Sequence, residues 1–300
     1  MKRTMHIDRL GIISKILLIG FIFSILSPLV VIVVWSLAGR WAWPHLLPEN
    51  FSLRGMQELF GGYSGAMETL FFSIGLSLVV ALLAVIIGTM TARALVFYDF
   101  YGKRVIDLST FLPIIIPGTV FAMGINVIFI EMGLSDSVAG VIVAHLICSL
   151  PYAIKIMTDI TQAFGRKLEE QAAVLGASFR QTMAFITLPS LLPGLIASGC
   201  MAYIVSFSQY FLTLIIGGGT VMTFSVKMVP YLQSGDRTLA SAYSLVFVCS
   251  TLLVFIIFEK TIKNFTGTKA GITSPNYLLN IYPSGGQDLG INLGQSIRSY

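Results

Sequence analysis

Apolar residues run along this chain in long blocks, and short polar intervals separate them. Six blocks are long enough to cross a bilayer, at about 12–38, 69–97, 105–130, 134–157, 190–216 and 239–258. A helix needs roughly 20 mostly apolar residues to span the ~30 Å hydrocarbon layer, where lipid offers the backbone no hydrogen-bond partners. The pattern predicts an all-α membrane protein with six transmembrane helices. Composition agrees: 55% of the 300 residues are hydrophobic and 11% are charged, and the mean hydropathy is +0.85. Soluble domains carry roughly 25% charged residues, so a water-facing globule is excluded. A disordered chain, which needs high charge and few apolar residues, is excluded with it.

The placement of charge sets the orientation. Lys2, Arg3, Arg9 and Lys15 precede the first block, and Arg93, Lys103 and Arg104 surround the second connection. Lys155, Arg166, Lys167 and Arg180 lie in the fourth connection, and Lys260, Lys263, Lys269 and Arg298 follow the sixth block. The opposite side holds Arg40, Arg54, Lys227 and Arg237. The positive-inside rule then places both termini and the second and fourth connections in the cytoplasm. The net charge of +5 therefore reports loop orientation and does not point to nucleic acid. Trp35, Trp41 and Trp43 follow the first block as an interfacial belt would. That block exceeds the 7–15 residues of a signal-peptide core, so it reads as a retained span. The expected organisation is a cytoplasmic N-terminus over 1–11, a six-span domain over 12–264, and a flexible cytoplasmic tail over 265–300.

Catalytic signatures are missing. His6, His45 and His145 form no metal-binding pair, and Cys148, Cys200 and Cys249 show no ligand spacing or disulfide framework. There is no phosphate-cradling Gly-x-x-x-x-Gly-Lys-[Ser/Thr] loop and no Gly-x-Ser-x-Gly elbow. The chain reads as a non-enzyme with no metal or cofactor site of its own. Its carboxylates fall at or near block ends, whereas ion-driven carriers commonly keep one in mid-membrane. His145, near the middle of the fourth block, suits either an interhelical hydrogen bond with a neutral ring or a proton relay or substrate contact.

The connection over 158–189 is distinctive. It carries Glu169, Glu170, Gln171, Ala172 and Ala173, then Gly176, and it ends Ile186-Thr187-Leu188-Pro189 at the mouth of the fifth block. Ala173, Gly176 and Ala177 recur at helical offsets and would present one smooth face. Two carboxylates suit the positive end of a helix dipole. Pro189 is expected to break this helix from the next span. These features describe a short exposed docking helix, and they also fit an ordinary amphipathic surface helix.

The gapped pattern resembles the loop signature of inner-membrane permease subunits of binding-protein-dependent ABC importers of type I. That signature is Glu-Ala-Ala, three residues, Gly, nine residues, Ile-x-Leu-Pro. Here it reads Glu170-Gln171-Ala172, Gly176, Ile186, Leu188 and Pro189, with Gln171 where Ala is usual. The resemblance covers about residues 10 to 263. It implies a coupling helix between spans four and five, seated in a groove of a separate ATPase. Glu170 would pair with a basic group on that ATPase, Ala173 and Gly176 would allow close approach, and Leu188 and Pro189 would pass displacement into span five. It implies further partners: a dimer of ATPase subunits that bind ATP and magnesium, a second permease that is usually a different chain, and a periplasmic substrate-binding protein. The implied location is a bacterial inner membrane.

Span five, Tyr203 to Thr213, followed by Gly217-Gly218-Gly219, looks most like the second permease of spermidine/putrescine-type importers and of their relatives for aminophosphonates, iron and thiamine. The resemblance implies a polyamine as the solute, with those other solutes as alternatives. Relatives of the polyamine branch often place acids near Ser208-Gln209, and here the pair is neutral. Ser206, Gln209 and Thr213, with Asn126 and His145, are the polar groups expected along the solute path. An ion-coupled secondary carrier working through His145 is the alternative from another class.

Overall fold

The structure is a computed structural model that describes residues 2–41, 45, 48–62 and 64–272, with side chains described over 14–39, 41, 45, 48–62 and 64–261. Helix α1 (Lys2–Ser36) leads into a small antiparallel pair, β1 (Ala38–Arg40) and β2 (Asn50–Phe51). Then come α2 (Arg54–Phe60), α3 (Ala66–Phe97), α4 (Lys103–Ile115), α5 (Gly118–Glu131) and α6 (Val138–Phe164). The short helices α7 (Lys167–Val174) and α8 (Phe179–Thr182) follow, and a π-turn (Met183–Thr187) joins α8 to α9 (Leu188–Phe207). The chain closes with α10 (Phe211–Gly217), α11 (Phe224–Gln233) and α12 (Arg237–Ile272). The described residues divide into two units, one up to Val254 and one that begins at Phe255 and holds the end of α12.

Small side chains build the core of the first unit. Ser73, Ser77, Ala81, Ala84, Gly88 and Ala92 recur every three or four residues of α3, and all are buried. That spacing puts them on one helix face, and between membrane helices such a face lets backbones approach closely. Helices α6 and α9 pack into it and onto each other. A Cβ added at Gly88 would lie 3.0 Å from the Ala153 Cβ and 3.1 Å from the Ala153 carbonyl carbon. Gly88→Ala is therefore expected to force α3 and α6 apart and destabilise the protein by about 1–3 kcal/mol. The check is a lowered Tm in detergent, with Gly75→Ala unchanged because nothing lies within 4 Å of a Cβ there. Beside this packing, Leu76 and Val80 join Ala122, Phe129, Val141, Leu212 and Ile216 in an apolar cluster.

Among the described residues, five helices are long and apolar enough to cross a membrane, or six if one bent pair counts as a single span. The bent pair corrects the expected third span. Helices α4 and α5 meet at 111°, because Pro117 lacks the N–H that would continue α4 and instead opens α5. The fifth span also differs. It stops at Phe207, and its terminal carbonyls bond nearby side chains: Ser208 Oγ donates to the Val205 carbonyl at 3.1 Å and Ser225 Oγ to that of Phe207 at 2.6 Å. At its other end Pro189 does not break the helix. It sits in the first turn of α9, where a missing N–H costs nothing, and the widened π-turn carries α8 into α9. Helix α12 continues to Ile272, past the expected start of the tail at 265; residues 273–300 and Trp43 lie outside the described residues. Trp35 and Trp41 stack at 4.5 Å, with the Arg237 guanidinium 5.2 Å over the Trp35 ring.

Candidate functional site

The turn that separates α7 from α8 is set by Gly176. Its φ is +82°, in the left-handed region that Gly enters without a Cβ penalty. The Ala177 N–H donates to the Ala172 carbonyl at 3.0 Å and the Gly176 N–H to that of Ala173 at 3.0 Å. These two bonds are a Schellman close, which satisfies carbonyls that the helix end would leave open. No heavy atom lies within 4 Å of a Cβ at Gly176, so within this chain the glycine serves conformation, not close packing. Ser178 then starts α8 with a capping box, its N–H donating to Gln181 Oε1 at 2.8 Å.

The two adjacent acids face different ways. Glu169 points inward: Arg93 Nη1 and Nη2 donate to its two carboxylate oxygens at 2.9 and 3.1 Å, and Thr187 Oγ1 donates to Oε1 at 2.7 Å. Glu170 is exposed on a shallow groove with Lys167, Gln171, Val174 and Leu175. Ala172 is buried, Ala173 is exposed, and Ile186 lines the small gap beside Arg93 and Glu169. Leu188 is exposed and Pro189 half-buried at the root of α9. The expected smooth face therefore does not form as one helix surface, because the helix ends before Gly176. In its place an apolar tip stands out: Val174 and Leu175 are each 87% exposed and Phe179 is 76% exposed.

Electrostatics reinforce the inward contact. The Arg93 guanidinium hydrogen-bonded to Glu169 holds its carboxyl below the usual carboxylate range, helped by the Thr187 hydroxyl and the Arg166 charge against the cost of burial. The contact is thus at full strength above the ordinary value of 4.5 and fades only as pH falls below it, through the lowered folded value. Arg166 lies 4.8 Å over the Phe97 ring and 4.9 Å over Tyr98, and Arg93 lies 5.1 Å over Phe97. Sequence reasoning counted Arg93 only as an inside-facing charge and passed over Thr187. The one available signal was an arginine placed just before the end of a long apolar helix.

The polar residues expected along the solute path separate into three places. His145, Ser206 and Thr213 come together in the packing of α3, α6, α9 and α10. The His145 ring nitrogens lie 2.9 Å from Ser206 Oγ and 2.8 Å from Thr213 Oγ1, and Ser206 Oγ donates to Ser77 Oγ at 3.3 Å. His145 is 1% exposed. Asn126 Oδ1 accepts from Ser135 Oγ at 2.8 Å, in the turn between α5 and α6. Gln209, at the break between α9 and α10, lines a cleft of about 400 Å³ with Tyr152, Thr119, Cys148, Phe121 and Phe211. Pro113, Ile114, Ile116 and Gly118, on either side of the bend at Pro117, line it as well. No Asp, Glu, Lys, Arg or His is among the described residues lining it.

Both the groove and the cleft fall within residues 84–263, which match the family described as "Binding-protein-dependent transport system inner membrane component". The spermidine/putrescine transport system permease protein PotC of Haemophilus influenzae is 22% identical over 209 residues, covering 70% of this chain and 81% of that protein. The molybdate/tungstate transport system permease protein WtpB of Pyrococcus abyssi is 29% identical over 177 residues, covering 59% of this chain and 71% of that protein. A chain in the crystal structure of a bacterial ABC transporter involved in the import of the acidic polysaccharide alginate shares the fold. Its TM-score is 0.62 at 17% identity, over 83% of this chain and 95% of that one. The family match spans more than half of the sequence and includes the α7 loop and the helices that root it, so the chain belongs to the inner-membrane permease subunits of binding-protein-dependent ABC importers.

Proposed function

We propose that this subunit lines a solute path with the cleft beside Gln209 and takes its movement from a separate ATPase seated on α7. The observation that carries the reading is the exposed apolar tip at Val174, Leu175 and Phe179, with Glu170 beside it. Large apolar side chains exposed together mark a protein–protein or membrane contact, and an acid beside them, Glu170, favours the protein partner. In this reading the tip is cytoplasmic, as the basic residues Lys155, Arg166, Lys167 and Arg180 favour. A basic groove residue of the ATPase pairs with Glu170, a second permease completes the path, and a periplasmic binding protein delivers the solute to an inner-membrane complex. ATP and magnesium are held by the ATPase.

For the solute we propose a polyamine, supported by the alignment with the spermidine/putrescine permease of H. influenzae. The absence of acids from the described cleft lining favours a second reading, in which another solute is carried and the binding protein does the selecting. The test is uptake by the complex in proteoliposomes. Spermidine accumulation that needs enclosed ATP and the binding protein supports the first reading. ATP-dependent uptake of a different solute supports the second, and uptake driven by a proton gradient without ATP contradicts both. Gln209→Leu removes hydrogen-bonding capacity from the cleft at similar volume. It is expected to lower uptake efficiency by roughly 2–10-fold, the worth of one ordinary hydrogen bond, with membrane level unchanged on a blot.

A further inference from the structure

Three separate elements meet at one carboxylate. Arg93 comes from the end of α3, Glu169 from the first turn of α7, and Thr187 from the last residue of the π-turn that feeds α9. Glu169 uses both oxygens on the planar guanidinium and also accepts from Thr187. A bidentate Arg–carboxylate pair fixes orientation as well as distance, and lysine cannot reproduce that fork. Thr187 is buried and the Arg93 and Glu169 side chains are each 24% exposed, so solvent screens the pair less than an open surface bridge. The π-turn lies between the exposed tip and α9, and such widened turns are places where helices kink.

We propose that Arg93 is a positioning residue that locks α7 to α3 through Glu169, so that a push on α7 moves α3 and α9 together. Without the lock, displacement of α7 reaches α9 through the π-turn and leaves α3 behind. This inference rests on the coupling role proposed for α7. It assigns the inward acid, Glu169, to internal transmission and leaves Glu170 to the partner.

The experiment uses the complete complex with its ATPase in lipid nanodiscs. Spin labels are placed at Met90→Cys on α3 and Leu168→Cys on α7, both exposed positions outside the apolar tip, with the three native cysteines changed to serine. Distances are recorded without nucleotide and after trapping with ATP and vanadate. The lock predicts one narrow distribution that trapping leaves in place. In Arg93→Gln, trapping shifts it by roughly 5 Å, about one helical turn; Arg93→Lys gives a broadened distribution; and the exchange Arg93→Glu with Glu169→Arg restores the narrow one. An unshifted distribution in Arg93→Gln, with the ATPase still bound, overturns the lock and leaves the coupling reading intact. Failure of the variants to insert, without rescue by the exchange, also overturns it, because the pair would then serve folding. An ATPase that does not bind the unaltered chain sinks the coupling reading, and the lock falls with it.

Discussion

Gly176→Leu is expected to leave the protein inserted in the membrane while ATP-driven uptake falls by about tenfold or more. The backbone there is left-handed, with φ +82°, and a side chain with a Cβ costs roughly 1–2 kcal/mol in that region. A difference of 1.4 kcal/mol is a factor of ten in population, so the turn shifts away from the Schellman close. The change then re-aims Val174, Leu175 and Phe179, the residues proposed to enter the ATPase. Membrane helices α6 and α9 flank the loop without depending on it for packing, so insertion persists. Gly176→Asn, which tolerates the same backbone better, should recover much of the loss. Recovery of uptake by asparagine is the mark of a conformational role; equal loss in both variants would mean that side-chain bulk at the ATPase contact matters instead.

His145→Ala is expected to destabilise the protein by roughly 2–4 kcal/mol, through a buried cavity and the loss of one hydrogen bond at each of two hydroxyls, which keep their bonds to Ser77 and to the Gln209 carbonyl. Both ring nitrogens are engaged, by Ser206 at 2.9 Å and Thr213 at 2.8 Å, so the ring ties α6 to α9 and α10. In membranes single interhelical hydrogen bonds average below 1 kcal/mol, and most of the effect here comes from the lost volume. His145→Gln fills more of the space and should sit between the two in Tm, with uptake per folded molecule near normal. Uptake lost at an unchanged Tm would instead mark His145 as a working group of the path, as the secondary-carrier alternative requires.

Much of this architecture was legible because lipid leaves the chain few options. Long apolar blocks must be helices, and the second, fourth and sixth blocks correspond to α3, α6 and the first part of α12, with α6 running on past the fourth block's expected end at 157 to Phe164. What the blocks could not show is where a helix breaks inside an apolar block. Hydropathy is blind to the 111° bend, which follows from the N–H that Pro117 lacks, and to the stop at Phe207, where hydroxyls of Ser208 and Ser225 take up the terminal carbonyls. The α7 loop was legible through its spacing, but the roles of its members were not. The sequence sets Glu169 beside the motif's Glu170, and only the partner across the chain, Arg93, separates an inward acid from an outward one. Likewise Ser206, Gln209 and Thr213 look alike on a helix diagram. The break after Phe207 is what sends Gln209 to the cleft and the other two into the His145 network.

The most direct measurement is photo-crosslinking from Val174. A photoreactive amino acid is installed at this 87%-exposed position in the complex purified from membranes. An ATPase docked on α7 predicts a covalent adduct with that subunit, whose yield changes on ATP binding. Adducts with lipid only, while the ATPase remains in the complex, would contradict the account.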